Sequence, residues 1–272
     1  MFRDKAAPWM YAVAVTAGLG AVLPLAWLFA LSLGFGLGSK GGVGGATSLL
    51  ANYTAVLAGS SMGLYMLNTA LVAAWTVVCT LTCACLGAYA ASRYRFRGKD
   101  AVMSGLLLAS MTPVIAVLVP LYGMAAGLGL LNTYQILVVV FTAWQLPGTL
   151  WLIRSFLDGI PPQLEEAAMV DGCTRFGAFM RVVLPQLLPG LVAAGMIVFV
   201  YVWNEFIIAV SLSAKQDMRT VSVGLYFFLS DFGVEWGKIA AAAMVSILPP
   251  AILFLFLQRQ LVHGLSAGAV KE

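Results

Sequence analysis

The sequence predicts an all-α integral membrane protein with six transmembrane helices and both termini in the cytoplasm. Of its 272 residues, 61% are hydrophobic and only 10% are charged, whereas a soluble domain carries about 25% charged residues. The charges fall between long apolar blocks. Such a chain cannot cover a water-facing surface with polar groups, so the lipid bilayer must be its main surroundings.

The first two spans are predicted at residues 9–33 and 65–91. Arg3 and Lys5 precede the first span. Its apolar run is longer than the about 7–15 residues of a signal peptide, so we expect an uncleaved anchor. The second span is followed by a basic cluster, Arg93 to Lys99, which is typical of a cytoplasmic loop.

The third and fourth spans are predicted from one long uncharged stretch. Residues 101–153 contain no Lys, Arg, Asp or Glu, and this stretch is too long for one span of about 20 residues. It predicts two spans, at 101–126 and 134–153, joined by a tight turn at 127–133.

The last two spans are predicted at 187–211 and 239–258. A polar loop at 160–186 separates span four from span five. The six spans are expected to form one transmembrane domain that covers residues 1–272.

The distribution of positive charge predicts the orientation. Most of the 15 Lys and Arg lie near the termini or in the loops at 93–99 and 154–186. Because cytoplasmic loops carry the excess of Lys and Arg, the termini and the polar loop are expected in the cytoplasm. This distribution also argues against a nucleic-acid partner, in spite of the net charge of +4. The four basic residues on or beside the opposite side are Lys40, Lys215, Arg219 and Lys238.

The polar loop begins with a short predicted helix, IPPQLEEAAMVDG. Prolines stand where the start of a helix tolerates them, acidic residues occupy the first turn, and Gly172 is a natural stop. The spacing of Leu164, Ala167 and Ala168 puts them on one face. The two alanines on this face would allow another surface to approach closely.

A second short helix is predicted after Gly172, with Thr174 as its cap and Pro185 as its end. The side chains expected to line one of its sides are Phe176, Phe179, Met180 and Val183. The two helices form a helix–turn–helix along the cytoplasmic face. From the residues alone, this element could equally be an amphipathic hairpin that only covers the end of the helix bundle.

The loop resembles the EAA loop of ABC importer permeases. That pattern has EAA, three residues, Gly, nine residues and then a hydrophobic residue, any residue, Leu and Pro. The positions that match it are Glu166, Ala167, Ala168, Gly172, Val182, Leu184 and Pro185. The stretches FLDGIPPQLEEAAMVDG, VWNEF and QRQLVHGLSAGAVKE resemble the maltose-type branch of carbohydrate permeases.

The resemblance implies a permease subunit that forms half of the pathway for a sugar or oligosaccharide. An extracytoplasmic binding protein would deliver the substrate. The other partners would be a second homologous permease and two copies of a cytoplasmic nucleotide-binding ATPase, all at the inner membrane of a bacterial or archaeal cell. ATP and Mg would be bound by the ATPase, and no cofactor by this chain.

The resemblance also implies roles for residues of the loop and the tail. The tail from Gly264 to Glu272 is expected to reach the ATPase dimer interface, and the alternative is a frayed terminus. The loop becomes a coupling helix that docks on the ATPase. Its coupling residues are Glu165, Glu166, Ala167, Ala168, Asp171, Gly172, Leu184 and Pro185.

Four polar residues in the predicted spans are candidates for the translocation pathway: Asn68, Tyr122, Asn204 and Glu205. An ionisable residue within a span is a functional candidate by default. The alternatives are that Glu205 reaches the outer interface, and that the other polar side chains pack between helices.

Catalytic and metal-binding patterns are not found in the sequence. There is no plausible Ser/His/Asp set and no nucleotide-binding signature, so the chain is expected to be a transport subunit and not an enzyme. A metal site is not expected, because Cys79, Cys83 and Cys85 lie in an apolar run, far in sequence from the single histidine, His263.

Two other transport functions stay open. A glycerol-phosphate ABC permease would favour cationic residues near the membrane midplane, and the predicted spans have almost none. A self-sufficient secondary transporter would need buried charges for ion coupling and usually has an internal repeat, neither of which is clear in the sequence.

Overall fold

A computed structural model describes residues 8–35, 50–231 and 235–269. Every regular element in these ranges is helical, which confirms the all-α class. A π-helical segment covers Phe179–Val183 and a 3-10 turn covers Gln216–Met218. The α-helices are α1 Pro8–Ser32, α2 Ala51–Gly59, α3 Met62–Arg93, α4 Lys99–Ser110, α5 Val114–Gly127, α6 Tyr134–Asp158, α7 Gln163–Val170, α8 Arg175–Ala178, α9 Leu184–Asn204, α10 Ile207–Leu212, α11 Val221–Asp231 and α12 Trp236–Ala269.

Five helical stretches of the described residues are long and apolar enough to cross a membrane. A bent pair, α4 and α5, makes a sixth if it is taken as one span. A multi-pass membrane protein is therefore confirmed, and the cytoplasmic position of both termini stays a prediction. The five stretches are Trp9–Ser32, Met62–Arg93, Tyr134–Asp158, Arg175–Asn204 and Trp236–Gln258.

The stretch predicted as span three, 101–126, is divided into two helices. The axes of α4 and α5 differ by 95°. The break lies at Pro113, which has extended backbone angles (φ −65°, ψ 132°). Proline has no N–H and disfavours helical angles in the residue before it, so α4 ends before it and α5 starts after it.

The second helix of the polar loop does not end at Pro185, and this part of the prediction is wrong. The π-helical segment runs directly into α9, and Pro185 occupies its first turn. Proline is tolerated in a first turn because its missing N–H has no obligatory partner there. At the other end, α9 stops at Asn204, and α10 follows as a separate helix after Glu205 and Phe206.

The residues group into two compact units, and the single transmembrane domain stays a prediction. One contains 1–63 and 224–248, and the other contains 64–223 and 249–272. In the first unit, the end of α1 is bonded to α2, since the Ser32 and Tyr53 hydroxyls lie 2.7 Å apart.

In the second unit, glycines bring α3, α6 and α9 close together. A Cβ added at Gly190 of α9 would lie 2.7 Å from the ring of Phe156 in α6. A Cβ at Gly87 of α3 would lie 2.8 Å from Leu150. Small residues let the backbones of membrane helices approach closely. The core of this unit continues to the end of α3, where it meets the polar loop.

Candidate functional site

The first helix of the polar loop, α7, is formed and stopped as the sequence predicts. Pro162 precedes its first residue, and Glu165 and Glu166 occupy its first turn, where carboxylates favour the positive end of the helix dipole. Gly172 follows with φ +91°, a conformation that glycine adopts with little strain. The Cys173 N–H donates to the Ala168 carbonyl at 3.0 Å, which closes the helix end. Gly172 is thus confirmed as the stop.

One residue of α7 points into the protein and most of the others point out. Glu165 is the buried residue of this helix, with 6% of its surface exposed. Ala168 and Met169 are half-buried. The exposed face of α7 is formed by Gln163, Leu164, Glu166, Ala167 and Val170.

The exposed face of α7 includes an apolar side chain that is almost fully open, Val170, at 87% exposure. Ala168 was expected to share this face with Leu164 and Ala167, and it is half-buried instead. The next two residues, Asp171 and Gly172, are exposed as well. The exposed face is therefore wider than the predicted one and extends to the end of the helix.

The buried Glu165 carboxylate is bound by two side chains of α3. The Tyr89 hydroxyl donates to one carboxylate oxygen at 2.8 Å, and Arg93 Nε donates to the other. The Arg93 and Glu165 side chains are only 10% and 8% exposed. Arg93 also donates through Nη2 to the Ile160 carbonyl, at 2.8 Å, in the turn before α7. We call Tyr89, Arg93 and Glu165 the anchor.

The end of α3 holds the neighbouring elements as well. Ser92 donates to Asp158, at the end of α6, at 2.6 Å. The Tyr89 ring lies 4.7 Å from that of Phe179 in the π-helical segment. The Arg175 guanidinium of α8 lies over the Tyr94 ring, at 5.1 Å, in a cation–π contact. The C-terminal end of α3, together with Tyr94 directly after it, thus contacts α6, both helices of the loop and the π-helical segment that leads into α9.

The second helix of the loop is capped as predicted, but its apolar side chains do not share one side. Thr174 Oγ1 accepts from the Gly177 N–H at 3.1 Å. Phe179 and Val183 are buried, whereas Phe176 and Met180 are 69% and 44% exposed. The π-helical segment explains the difference, because its wider turn shifts the register of the side chains.

The last two predicted coupling residues lie beyond this segment. Leu184 is half-buried and Pro185 is exposed. They stand in the first turn of α9 and are outside α7. The structure therefore groups Glu166, Ala167 and Asp171 at one exposed surface and separates Glu165 from it.

Among the pathway candidates, Asn68 is buried with its hydrogen bonds satisfied. Its amide nitrogen donates to the Asp217 and Arg219 carbonyls at 2.9 and 3.0 Å. Its amide oxygen accepts from the Tyr134 hydroxyl at 2.8 Å. The next residue, Thr69, accepts from the Val221 N–H at 2.7 Å. Asn68 therefore ties the segment Asp217–Val221 to α3 and α6.

Glu205 caps a helix. Its two carboxylate oxygens accept from the Ile208 and Ala209 N–H groups at 2.9 and 3.0 Å. Asn204 is exposed and donates to the Val200 carbonyl of its own helix at 2.8 Å. Tyr122 is 47% exposed. None of the hydrogen bonds described for Asn204 and Glu205 joins them to Asn68, and the role of these residues in the pathway stays a prediction.

The sequence reasoning did not find Tyr89 and Arg93 as site residues. Their spacing of four puts both on one face of α3, which is a local signal. Their partner, Glu165, is 72 residues away from Arg93, and no sequence pattern indicates that pairing.

Within the described ranges, no cluster of three or more His, Cys, Asp or Glu side chains could hold a metal ion. The described part of the site thus consists of helix surfaces and hydrogen bonds.

Comparison with known proteins gives a family match over residues 83–266, to the binding-protein-dependent transport system inner membrane component family. The diacetylchitobiose uptake system permease protein DasC of Streptomyces coelicolor is 34% identical over 266 residues, which are 97% of this chain and 96% of that protein. The trehalose/maltose transport system permease protein MalG of Thermococcus litoralis is 35% identical over 227 residues, 82% of each chain. The sulfoquinovosyl glycerol transport system permease protein SmoH of Agrobacterium fabrum is 36% identical over 222 residues, 82% of this chain and 78% of that protein.

A solved structure has the same fold. It is a chain of a bacterial ABC transporter involved in the import of the acidic polysaccharide alginate, with a TM-score of 0.79 and 22% identity. The match covers 95% of this chain and 98% of that chain. A second structure, of an alginate ABC transporter in complex with a periplasmic protein that holds an alginate pentasaccharide, matches with a TM-score of 0.67 and 17% identity.

Proposed function

We infer the function from one premise: this chain belongs to the binding-protein-dependent transport system inner membrane component family. It is therefore a multi-pass transport subunit of the inner membrane. Within that family, we propose that it forms half of the pathway of an ABC importer for a sugar or oligosaccharide. The relatives named for diacetylchitobiose and for trehalose and maltose support this substrate class.

The exposed face of α7 is the observation that carries the proposal. Val170 is 87% exposed and lies in a helix that the anchor fixes from the other side. The exposed apolar residues Leu164, Ala167 and Val170 follow one another at intervals of three along this short helix, and a row of apolar side chains fits a surface that another protein covers. Its partner is a cytoplasmic nucleotide-binding ATPase, present in two copies, on which ATP and Mg are bound.

The second half of the pathway is a homologous permease. The support is indirect: the described helices leave many apolar side chains exposed, among them Val119 at 80%. Lipid and a second permease would share these surfaces. A binding protein on the extracytoplasmic side delivers the sugar, as the family description implies.

The proposal is tested in the host organism. The chain is tagged, solubilised in mild detergent and purified, and the co-purifying proteins are identified by mass spectrometry. We expect a nucleotide-binding ATPase, a second permease and, after addition of substrate, a sugar-binding protein. Purification of the chain alone would contradict the importer proposal.

Uptake identifies the substrate class. A strain that lacks the gene is compared with the complemented strain for uptake of labelled maltose, trehalose, diacetylchitobiose and glycerol 3-phosphate. Loss of uptake of a sugar, restored by the gene, supports the proposal. Loss confined to glycerol 3-phosphate would replace the sugar by an organic phosphate.

A further inference from the structure

We propose that α3 is a strut that carries movement of α7 across the membrane to the segment Asp217–Val221, with Glu165 and Asn68 as positioning residues at its two ends. This inference rests on the proposed function, because movement of α7 requires a docked ATPase. It removes Glu165 from the docking surface, where the resemblance to the EAA loop puts it.

The attachment of α7 determines where this helix lies. Glu165 is the buried residue of this eight-residue helix. A helix this short is not stable by itself, so its position depends on what holds it. The Glu165 carboxylate is held through both oxygens, one by Tyr89 and one by Arg93.

The geometry of this attachment restricts how α7 can move. Tyr89 and Arg93 stand four residues apart on one face of α3. Arg93 also bonds the Ile160 carbonyl before α7. Three hydrogen bonds from one turn of α3 therefore fix both the position and the direction of α7. When α7 moves, the end of α3 must move with it or these buried bonds must break.

Breaking the anchor is unfavourable in free energy. The charged groups of Arg93 and Glu165 are almost removed from water. A charge that is buried and loses its partner is strongly unfavourable. Breaking the anchor should therefore cost more than breaking the less buried pair of Arg154 and Asp158, whose side chains are 22% and 52% exposed.

The other end of α3 is attached by hydrogen bonds as well. Asn68 and Thr69 bind the segment Asp217–Val221 through three hydrogen bonds, two to carbonyls and one from an N–H. Tyr89 lies twenty positions after Thr69, which is roughly 30 Å along the helix at 1.5 Å per residue. This is about the thickness of the hydrocarbon core of a bilayer. Thus one helix has a polar attachment at each end, and the two attachments lie a membrane apart.

Hydrogen–deuterium exchange on the purified complex with its ATPase tests this arrangement without attaching a probe to the protein. The exchange of α7 and of Asp217–Val221 is compared between the nucleotide-free state and the state trapped with ATP and vanadate. In the wild type, we expect trapping to change the exchange rate of both segments, by about fivefold or more, the lower range of coupling between distant sites.

The variant Glu165→Gln separates the two ends of the strut. It keeps the size of the side chain and leaves the exposed face of α7 intact, so the ATPase should still bind and α7 should still respond to nucleotide. The response of Asp217–Val221 should fall below about twofold, since its link to α7 is weakened. The double variant Arg93→Glu with Glu165→Arg, which exchanges the two charges, should restore part of the response of Asp217–Val221.

Asn68→Ala gives the reciprocal test at the other end. It should lower the response of Asp217–Val221, which keeps the hydrogen bond from the Val221 N–H to Thr69, and leave that of α7 unchanged. Glu235→Gln is the matched control, because it also exchanges acid for amide in an ion pair, but the Glu235 side chain is 54% exposed. We expect it to respond like the wild type at both segments.

The outcomes separate this proposal from the proposed function. If Asp217–Val221 responds fully in Glu165→Gln, or does not respond in a wild type whose α7 does, the strut is wrong. If Glu165→Gln loses the ATPase while its α7 exchanges as slowly as that of the wild type, the helix is still held, so Glu165 belongs to the docking surface and the proposal is also wrong. If the variant does not fold, or its α7 exchanges faster, Tyr89→Phe, which removes one hydrogen bond to Glu165, replaces it and must lower the response. If no ATPase binds the wild type, the proposed function itself fails.

Discussion

Arg93 of α3 and Glu165 of α7 form an ion pair across 72 residues of sequence, with side chains that are 10% and 8% exposed. The pair holds α7 by its inner side. The outer side, with Val170 and Glu166, is thereby left free to meet another protein. The division of α7 into a held side and a free side is the basis of the functional account.

Two neighbouring glutamates should differ sharply in their effect on stability. Glu165→Ala leaves the Arg93 charge buried without its partner, and such a loss costs about 3–5 kcal/mol. Glu166→Ala changes an exposed side chain and should stay within about 0.5 kcal/mol. Thermal unfolding of both variants in detergent measures the difference. Equal melting temperatures would mean that the anchor does not stabilise the fold.

Asn68 should act on stability and not on the choice of sugar. Asn68→Ala removes the donor to the Asp217 and Arg219 carbonyls, and each buried group left unsatisfied costs about 1–3 kcal/mol. The control is Asn204→Ala, in which an exposed side chain loses a bond within its own helix. Unfolding should show a loss for Asn68→Ala alone. A change in the sugar transported, with stability unchanged, would instead place Asn68 in the pathway.

Gly190 should not tolerate a side chain. In Gly190→Ala, the added methyl group would lie 2.7 Å from the Phe156 ring, and overpacking of this kind costs about 1–3 kcal/mol. Phe156→Leu in the same chain should recover part of the loss. Gly148→Ala is the control, since nothing lies within 4 Å of its added Cβ. Comparable unfolding of both alanine variants would contradict the close contact of α6 and α9.

Gly172 should be required for its backbone conformation. Its φ of +91° strains any residue that has a side chain, at about 1–3 kcal/mol. Asparagine accepts the left-handed region better than alanine, so Gly172→Asn should unfold at a higher temperature than Gly172→Ala. Nothing lies within 4 Å of a Cβ added at Gly172, so the reverse order would contradict the explanation from backbone conformation.

Local signals in the sequence are sufficient for several of these elements. The apolar blocks predict helical spans because a bilayer leaves few alternatives. Gly172 and Thr174 mark the end of one helix and the start of the next by their own chemistry, and the structure confirms both.

Long-range pairing and changes of helix geometry are not visible in the sequence. Nothing near Glu165 indicates that it faces Arg93 and not the solvent, since Glu166 beside it has the same side chain. The π-helical segment from Phe179 to Val183 shifts the register of the second loop helix, and it lets the chain continue through Pro185. The sequence predicted a helix end there, because proline usually interrupts a helix.

The central claim is that the exposed face of α7 docks on an ATPase, and its most direct test is co-purification with Val170→Glu. The substitution changes a side chain that is 87% exposed, so the fold should be unaffected. A charge placed in the centre of an apolar contact should cost more than about 1 kcal/mol of binding. The control Arg97→Glu changes another exposed residue, in the loop after α3. We predict that the wild type and Arg97→Glu retain the ATPase and that Val170→Glu loses most of it. Retention of the ATPase by Val170→Glu at the wild-type level would contradict the claim.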